Sequence, residues 1–431
     1  MTVQQRIADR TARIGVIGLG YVGLPLAVEF ARAGFHVVGF DVDARKVAEI
    51  AAGRSYIPDV ADADLARVVS GGTLRATTDM RELSDVDVID ICVPTPLRKT
   101  RDPDLSFVVQ ALGATAERLR RGQLVILEST TYPGTTDEVA KPLLEAGGLR
   151  AGADFFLAFS PERVDPANAS FTTRTIPKVV GGLDARSTEL AAALYSQVVD
   201  QVVPVSSARV AEMVKLLENT FRAVNIGLVN EMALMCRKLD IDVWEVIDAA
   251  KTKPFGFMPF YPGPGLGGHC IPVDPYYLSW KARQSGFEAR FIELAGQVNA
   301  SMPAHVVERV AHALNSVKKA INGSRIHLLG VAYKANVGDV RESPALDILN
   351  LLAQRGAMLS YTDPYVPALA HAGVSLESIP QDAIPADRID CVVICTNHSA
   401  FDYTSIVERL SLVVDTRNAL APLRRDSIFT L

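Results

Sequence analysis

Residues 262–275 read PGPGLGGHCIPVDP and hold one thiol, Cys270, among glycines and prolines. A cysteine that merely packs sits as a small hydrophobe inside a helix or strand. Here Gly265, Gly267 and Gly268 strip bulk from the loop, so a second backbone or a ligand can approach, and Pro264 and Pro272 stiffen its two ends. A thiol presented in this way is placed for nucleophilic addition, provided cations or a helix end draw its pKa below the free value of about 8.5. Cys92, Cys391 and Cys395 lie in apolar strand-like runs and Cys236 in a helical one, so these four read as packing. Cys391 and Cys395 have no second pair or clustered histidines to complete a metal site, and none is expected. His269 and Cys270 are adjacent in an extended loop, where neighbouring side chains point apart. His269 therefore reads as structural or as a nucleotide contact, not as half of a dyad.

A second constellation is GLGYVG, which sets Gly18, Gly20 and Gly23 as G-x-G-x-x-G. It follows one apolar run, opens a helical pattern, and is followed by Asp41 at the end of the next run. In that context the glycines make a tight turn, let the backbone reach a pyrophosphate at a positive helix end, and pack helix on strand. Asp41 accepts hydrogen bonds from ribose hydroxyls and repels a 2′-phosphate, which favours NAD over NADP. A third is Lys215, Asn219 and Asn230, spaced four and eleven apart on one face of an otherwise apolar helix. That face is expected to be solvated or to line a ligand, with an exposed surface stripe as the bland alternative.

The elements that position these residues follow from periodicity. RIGVIG (13–18), HVVGFD (36–41), VDVIDICV (86–93) and QLVILEST (123–130) read as strands buried on both faces. Helical stretches at 24–32 and 105–119 lie between them, and 154–161 and 178–182 extend the pattern until it fades near Val205. From Ala208, Val214, Leu217, Phe221, Val224 and Leu228 form the apolar stripe of a long helix. Further helix follows, with a kink expected at Pro303. Runs at 324–333, 357–363, 390–397 and 412–418 start a second alternating segment. The expected fold is α/β: two Rossmann-like, doubly wound parallel-sheet domains (1–205 and 318–431) joined by a central helical domain (206–317) that carries the cysteine loop.

Composition bounds the function. The 431 residues exceed one core, and 48% hydrophobic with 22% charged is an ordinary globular balance. A net charge of -5 gives no basic footprint for nucleic acid. Five cysteines without regular spacing fit a reducing compartment. The first twenty residues pass from polar sequence straight into a strand without a signal-peptide core, and no apolar run reaches a membrane span, so a cytoplasmic protein is expected.

Taken in order, GLGYVGLPLA, VPTP (93–96), ESTTYPGTT (128–136), SPERVDP (160–166), KLLENTFRAVNI (215–226), GGHCIPVDP and GVAYKANVGDVRESPA (330–345) resemble the UDP-glucose/GDP-mannose dehydrogenase family over nearly the whole chain. The resemblance implies oxidation of the C6 alcohol of a nucleotide sugar to a carboxylate with two NAD+ in succession. It implies Cys270 as the nucleophile of a thiohemiacetal and then a thioester. Lys215 matches the lysine that stabilises oxyanion charge and Asn219 its hydrogen-bonding neighbour. Asp274 matches the aspartate that positions water or assists proton transfer, Glu162 the glutamate that activates water, and Thr130 the threonine beside the nicotinamide. Cofactor contacts are implied for Gly18, Gly20, Tyr21, Val22, Gly23, Asp41, Thr95, Thr130 and Arg341. Substrate contacts are implied for Glu162, Lys215, Asn219, Gly267, Lys334 and Arg417. Relatives pair through their central helices, so a homodimer or an assembly of dimers is expected.

Position 254 is proline, where UDP-glucose dehydrogenases commonly carry an arginine sixteen residues before the cysteine. The stretch from Lys253 to Leu278 looks instead like the branch that oxidises UDP-N-acetylglucosamine for bacterial surface polysaccharides. UDP-N-acetylmannosamine and UDP-glucose stay open as alternatives. A two-electron β-hydroxyacid dehydrogenase and a non-catalytic NAD-binding regulator are the competing classes. The second α/β segment and the cysteine loop weigh against the former, and the intact cysteine, lysine and aspartate against the latter.

Overall fold

The computed structural model describes every residue except 99–101, 165–170, 269, 372 and 424. His269 and the last two residues of SPERVDP therefore lie outside the described residues. The chain divides into two compact units, Met1–Glu218 with Tyr276–Phe287, and Asn219–Pro275 with Glu288–Leu431.

The first unit is built on one sheet: β1 (Arg13–Ile17), β2 (His36–Phe40), β3 (Leu74–Thr77), β4 (Val88–Ile91), β5 (Leu124–Leu127), β6 (Phe156–Phe159), β7 (Lys178–Gly182) and β8 (Val202–Pro204). Their order is β3-β2-β1-β4-β5-β6-β7-β8. Neighbours are parallel except β6 and β7, which run antiparallel. The central strands are mostly apolar because each buries alternate residues on opposite faces, Asp90 on β4 being a buried exception. Ile14, Val16, Leu124 and Ile126 join one core with Leu24, Phe30 and Tyr195. Ile17, Val125 and Leu127 join the other with Phe40, Leu112 and Leu157. Strand order reverses between β1 and β4, and the crevice outside the carboxyl ends of the strands at such a point is where ligands bind in this architecture. The start of the chain corrects the expected direct entry into a strand. Thr2 and Gln5 form a capping box that opens the helix Val3–Ala8 and buries Ile7.

The second unit carries a parallel sheet of β9 (Arg325–Leu329), β10 (Met358–Thr362), β13 (Cys391–Ile394), β14 (Val413–Asp415) and β15 (Ile428–Thr430), in the order β10-β9-β13-β14-β15. An antiparallel hairpin, β11 (Ala368–His371) with β12 (Val374–Glu377), is inserted before β13. Neither the hairpin nor β15 is legible in the sequence, because the strands are short and mixed in polarity. The helix Arg290–Ser316 runs on through Pro303. Among the described residues no helix is long and apolar enough to cross a membrane.

The long helix Ala208–Lys238 is arranged opposite to its expected amphipathicity. Lys215, Asn219 and Asn230 are buried, whereas Leu217, Phe221 and Leu228 are 57%, 45% and 50% exposed. Both the solvated face and the surface stripe expected for the polar residues are thereby corrected. Leu217, Phe221 and Leu228 are left facing outward, whereas Val214 of the same expected stripe packs against the core of the first unit.

Candidate active site

The turn after β1 has the form the glycines require. Gly18 takes φ 91°, and a Cβ there would lie 2.7 Å from the Cys92 carbonyl oxygen. At Gly20 a Cβ would meet nothing within 4 Å, which leaves the backbone open to a ligand. Tyr21 is half exposed and Val22 precedes the helix Gly23–Arg32. Asp41 is buried. Its Oδ2 accepts from the Leu19 amide (2.9 Å) and the Lys46 ammonium (3.0 Å), and its Oδ1 from the Asp43 amide (3.0 Å). A carboxylate has about four lone-pair sites, so one acceptor position is left for a ribose hydroxyl. The open glycine turn, the helix N-terminus and this acceptor fit a dinucleotide. Lys46 and Tyr56, whose hydroxyl donates to the Leu19 carbonyl at 2.7 Å, had no motif to announce them.

Thr95 and Thr130 follow the ends of β4 and β5, and Ser129 ties the two segments by donating to the Val93 carbonyl at 2.8 Å. Glu162 lies just past β6. Its Oε1 accepts from the Arg163 and Val164 amides, both at 2.7 Å, and its Oε2 faces Lys178 Nζ at 3.5 Å. Burial opposes its charge, but Lys178, the two amides and Lys215 hold the carboxyl below the usual range. A cavity of about 1160 Å³ in this unit is lined by Tyr21, Val22 and Glu162 among others. Glu212, one turn before Lys215, accepts from the Gly134 amide (2.6 Å) and from the Thr136 amide (2.8 Å) and hydroxyl (2.7 Å). It thus holds the loop that follows Thr130, a role that sequence reasoning missed.

In the second unit Cys270 is exposed in the turn before the helix Asp274–Gln284, and its carbonyl accepts the amides of Val273 (3.0 Å) and Asp274 (2.8 Å). The other four cysteines are buried, as the sequence implies. Asp274 is the first residue of that helix, buried, and accepts from the Asn219 side-chain amide. The glycines of the loop serve close packing of backbone. A Cβ at Gly267 would lie 2.8 Å from the Glu342 carbonyl oxygen, and one at Gly268 2.8 Å from the Tyr333 ring. The Gly268 amide donates to the Arg341 carbonyl at 3.1 Å. Lys334 and Arg341 sit on the segment so packed, with the Arg341 guanidinium on Asp339 at 2.6 Å. Arg417 donates to the Cys395 carbonyl at 2.9 Å and lies against Gly263, where a Cβ would come within 2.6 Å of its guanidinium. Asn230 is a brace: Oδ1 accepts the Gly263 amide (3.0 Å) and Nδ2 donates to Asn299 (2.9 Å).

A doubly wound sheet with this glycine turn after its first strand and a buried aspartate after its second defines a dinucleotide-binding domain. More specifically, the chain belongs to the UDP-glucose/GDP-mannose dehydrogenase family. The family's NAD binding domain matches residues 12–199, its central domain 209–301 and its UDP binding domain 327–422. The protein is accordingly an oxidoreductase that uses NAD on a UDP-sugar. It is 38% identical to the UDP-N-acetyl-D-mannosamine dehydrogenase of Pyrococcus horikoshii, over 95% of this chain and 96% of that one. It is 36% identical to the UDP-N-acetyl-D-glucosamine 6-dehydrogenase of Pseudomonas aeruginosa, over 90% and 91%. The solved UDP-D-ManNAc dehydrogenase of Pyrococcus horikoshii superposes with a TM-score of 0.88 at 35% identity, covering 97% of this chain and 98% of that one.

Proposed function

We propose that the protein carries out the four-electron oxidation of the C6 hydroxyl of a UDP-N-acetylhexosamine, UDP-N-acetylglucosamine by preference, to the uronic acid. The product would feed bacterial surface polysaccharide synthesis. The observation that carries the reading is the exposed thiol of Cys270, held one turn ahead of a helix whose first residue, Asp274, is fixed by Asn219. NAD+, when bound, supplies a hydride acceptor for each of the two oxidations.

In this reading the C6 hydroxyl gives its proton to a water that Asp274 positions, and the C6 carbon gives up a hydride, to leave the aldehyde. The Cys270 thiolate adds to the aldehyde carbon, and Lys215 and Asn219 stabilise the oxyanion that forms. Loss of a second hydride from that carbon leaves a thioester on Cys270. Glu162, kept ionised, takes a proton from water as the water oxygen attacks the thioester carbonyl. The carbon–sulfur bond then breaks, the thiolate is regenerated and the acid leaves, its remaining proton passing to solvent to give the carboxylate. Thr130 and Asp274 orient water and reacting groups. Thr95, Tyr21, Val22, the glycine turn, Asp41 and Arg341 serve the cofactor, and Gly267, Lys334 and Arg417 the UDP-sugar. The three-domain division at 205 and 317 belongs to the same proposal. So does a cytoplasmic homodimer, supported by the outward apolar residues Leu217, Phe221 and Leu228.

A second reading, UDP-N-acetylmannosamine as substrate, is favoured by the 38% identity to the Pyrococcus horikoshii enzyme. Incubation with NAD+ and a panel of UDP-hexoses separates the two. Two NADH per acid formed, with the highest kcat/KM on the gluco epimer, is the expected result; preference for the manno epimer overturns the substrate. Cys270→Ala should bind NAD+ and lose acid production. Acid output near that of the parent overturns the nucleophile.

A further inference from the structure

Beneath Glu162 lies a cluster of charge that the reaction scheme does not use. Asp90 on β4, Glu128 after β5, Lys178 at the start of β7 and Tyr195 at the end of the helix Ala185–Tyr195 are each at most 4% exposed. The topology explains why they meet. The carboxyl ends of β4, β5 and β6 share one edge of the sheet, and β7, antiparallel to β6, brings its first residue to the same edge. Phe159 pairs with Gly181 and Ala158 with Gly182, and the same register continued sets Lys178 opposite Glu162.

The contacts form a chain. Lys178 Nζ lies 2.9 Å from Glu128 Oε1 and 3.5 Å from Glu162 Oε2, and 5.1 Å above the Tyr195 ring. The Tyr195 hydroxyl is within hydrogen-bond reach of Asp90 Oδ2, at 2.9 Å, and of Glu128 Oε1. One hydroxyl proton cannot serve both oxygens. The set closes when Asp90 keeps a proton and donates it to the Tyr195 oxygen, while Tyr195 donates to Glu128. Burial and the neighbouring Glu128 push the Asp90 carboxyl well up, as this requires. Burial raises the Glu128 carboxyl too, but Lys178 at 2.9 Å and the Tyr195 hydroxyl favour its charged form. The arrangement thus sets Glu128 and Glu162 as anions opposite Lys178, with Lys215 also favouring the Glu162 charge and the buried Cys92 thiol neutral beside Asp90. Arg163 is engaged elsewhere, on Glu218 at 2.6 Å.

We propose that Lys178 is the positioning residue for Glu162, its ammonium clamped between Glu128 and the Glu162 carboxylate and seated on the Asp90–Tyr195 pair. The proposal rests on the reading of Glu162 as the group that takes the proton from water. Loss of the cation leaves Glu162 harder to ionise. A base acts only above its pKa, so the acid limb of activity must move to higher pH.

The test follows kcat for acid formation against pH, with a UDP-hexosamine and NAD+ saturating. Lys178→Met is expected to move the acid limb up by about one unit, which lowers kcat about tenfold on that limb, with KM for NAD+ unchanged. Lys178→Arg is expected to restore the parental limb. Removing a buried partner can itself unfold a protein, so Lys178→Met/Glu128→Gln, which deletes both charges, provides a second variant. Its shift is upward too but smaller, because the Glu128 anion that repels the Glu162 carboxylate goes with the cation. Glu162→Gln is the control. If it keeps the parental acid limb, the role of Glu162 falls, whatever Lys178 does. If it abolishes the limb while both Lys178→Met variants leave the limb in place, the positioning role of Lys178 is overturned.

Discussion

Asn219 donates its side-chain amide to Asp274, whose own backbone amide donates to the carbonyl of Cys270. One hydrogen-bond path thus runs from the long helix to the residue that bears the exposed thiol. The path depends on a neutral donor facing a carboxylate that is 3% exposed.

Replacing Asn219 separates loss of the donor from addition of charge. Asn219→Ala removes one partner of a buried carboxylate and should cost about 1–3 kcal/mol, seen as a lower Tm at neutral pH. Asn219→Asp sets two carboxylates face to face, which is tolerated while one is protonated and penalised once both ionise. Its Tm deficit should grow as pH rises from about 4 to 8. A deficit independent of pH would show that the two side chains do not meet.

Asp41 is shared between the Leu19 amide and Lys46, so its replacement does two things. Asp41→Ala removes the acceptor expected to meet the ribose, and loss of one charge-assisted hydrogen bond, about 1.5–3 kcal/mol, raises KM for NAD+ by at least tenfold. It also frees the Lys46 ammonium, which should improve use of NADP through its 2′-phosphate. Initial rates with both cofactors check the pair, and an unchanged NAD/NADP preference would remove Asp41 from the ribose contact.

Gly268 carries φ 91° and lies under the Tyr333 ring. Gly268→Ala meets both the left-handed backbone penalty of about 1–2 kcal/mol and a 2.8 Å approach to that ring. It should lower Tm and displace the following Cys270, cutting acid formation more than NAD+ binding. Parental activity in this variant would mean that the loop does not set the thiol.

Much of this arrangement is legible in the sequence where a local pattern carries it. Apolar runs such as 124–127 mark strands because burial on both faces leaves no room for polar residues, and the glycine turn declares itself by following one. Residues that act through tertiary contacts leave no such trace. Asn230 reads as part of a polar stripe but braces Gly263, because its partner Asn299 is 69 residues away. Lys178 reads as an ordinary strand-starting lysine. Only the antiparallel turn of β7, which periodicity does not encode, brings it opposite Glu162.

Glu212 offers a pH test that needs no substrate. Burial outweighs the hydrogen bonds from Gly134 and Thr136 and raises its carboxyl from 4.5 to about 7. The folded chain therefore holds a proton that the unfolded chain has released anywhere between these values. Its contribution to stability is greatest below about 4.5, declines as pH rises to about 7 and is level above it. Glu212→Gln is uncharged throughout and lacks this dependence. The difference in Tm, parent minus variant, should thus fall across that window and then flatten. Because Glu212 secures the loop after Thr130, the variant should also lower kcat. A difference in Tm that stays flat, or rises with pH, would mean that Glu212 is ionised in the folded chain well below neutrality, held there by its three donors.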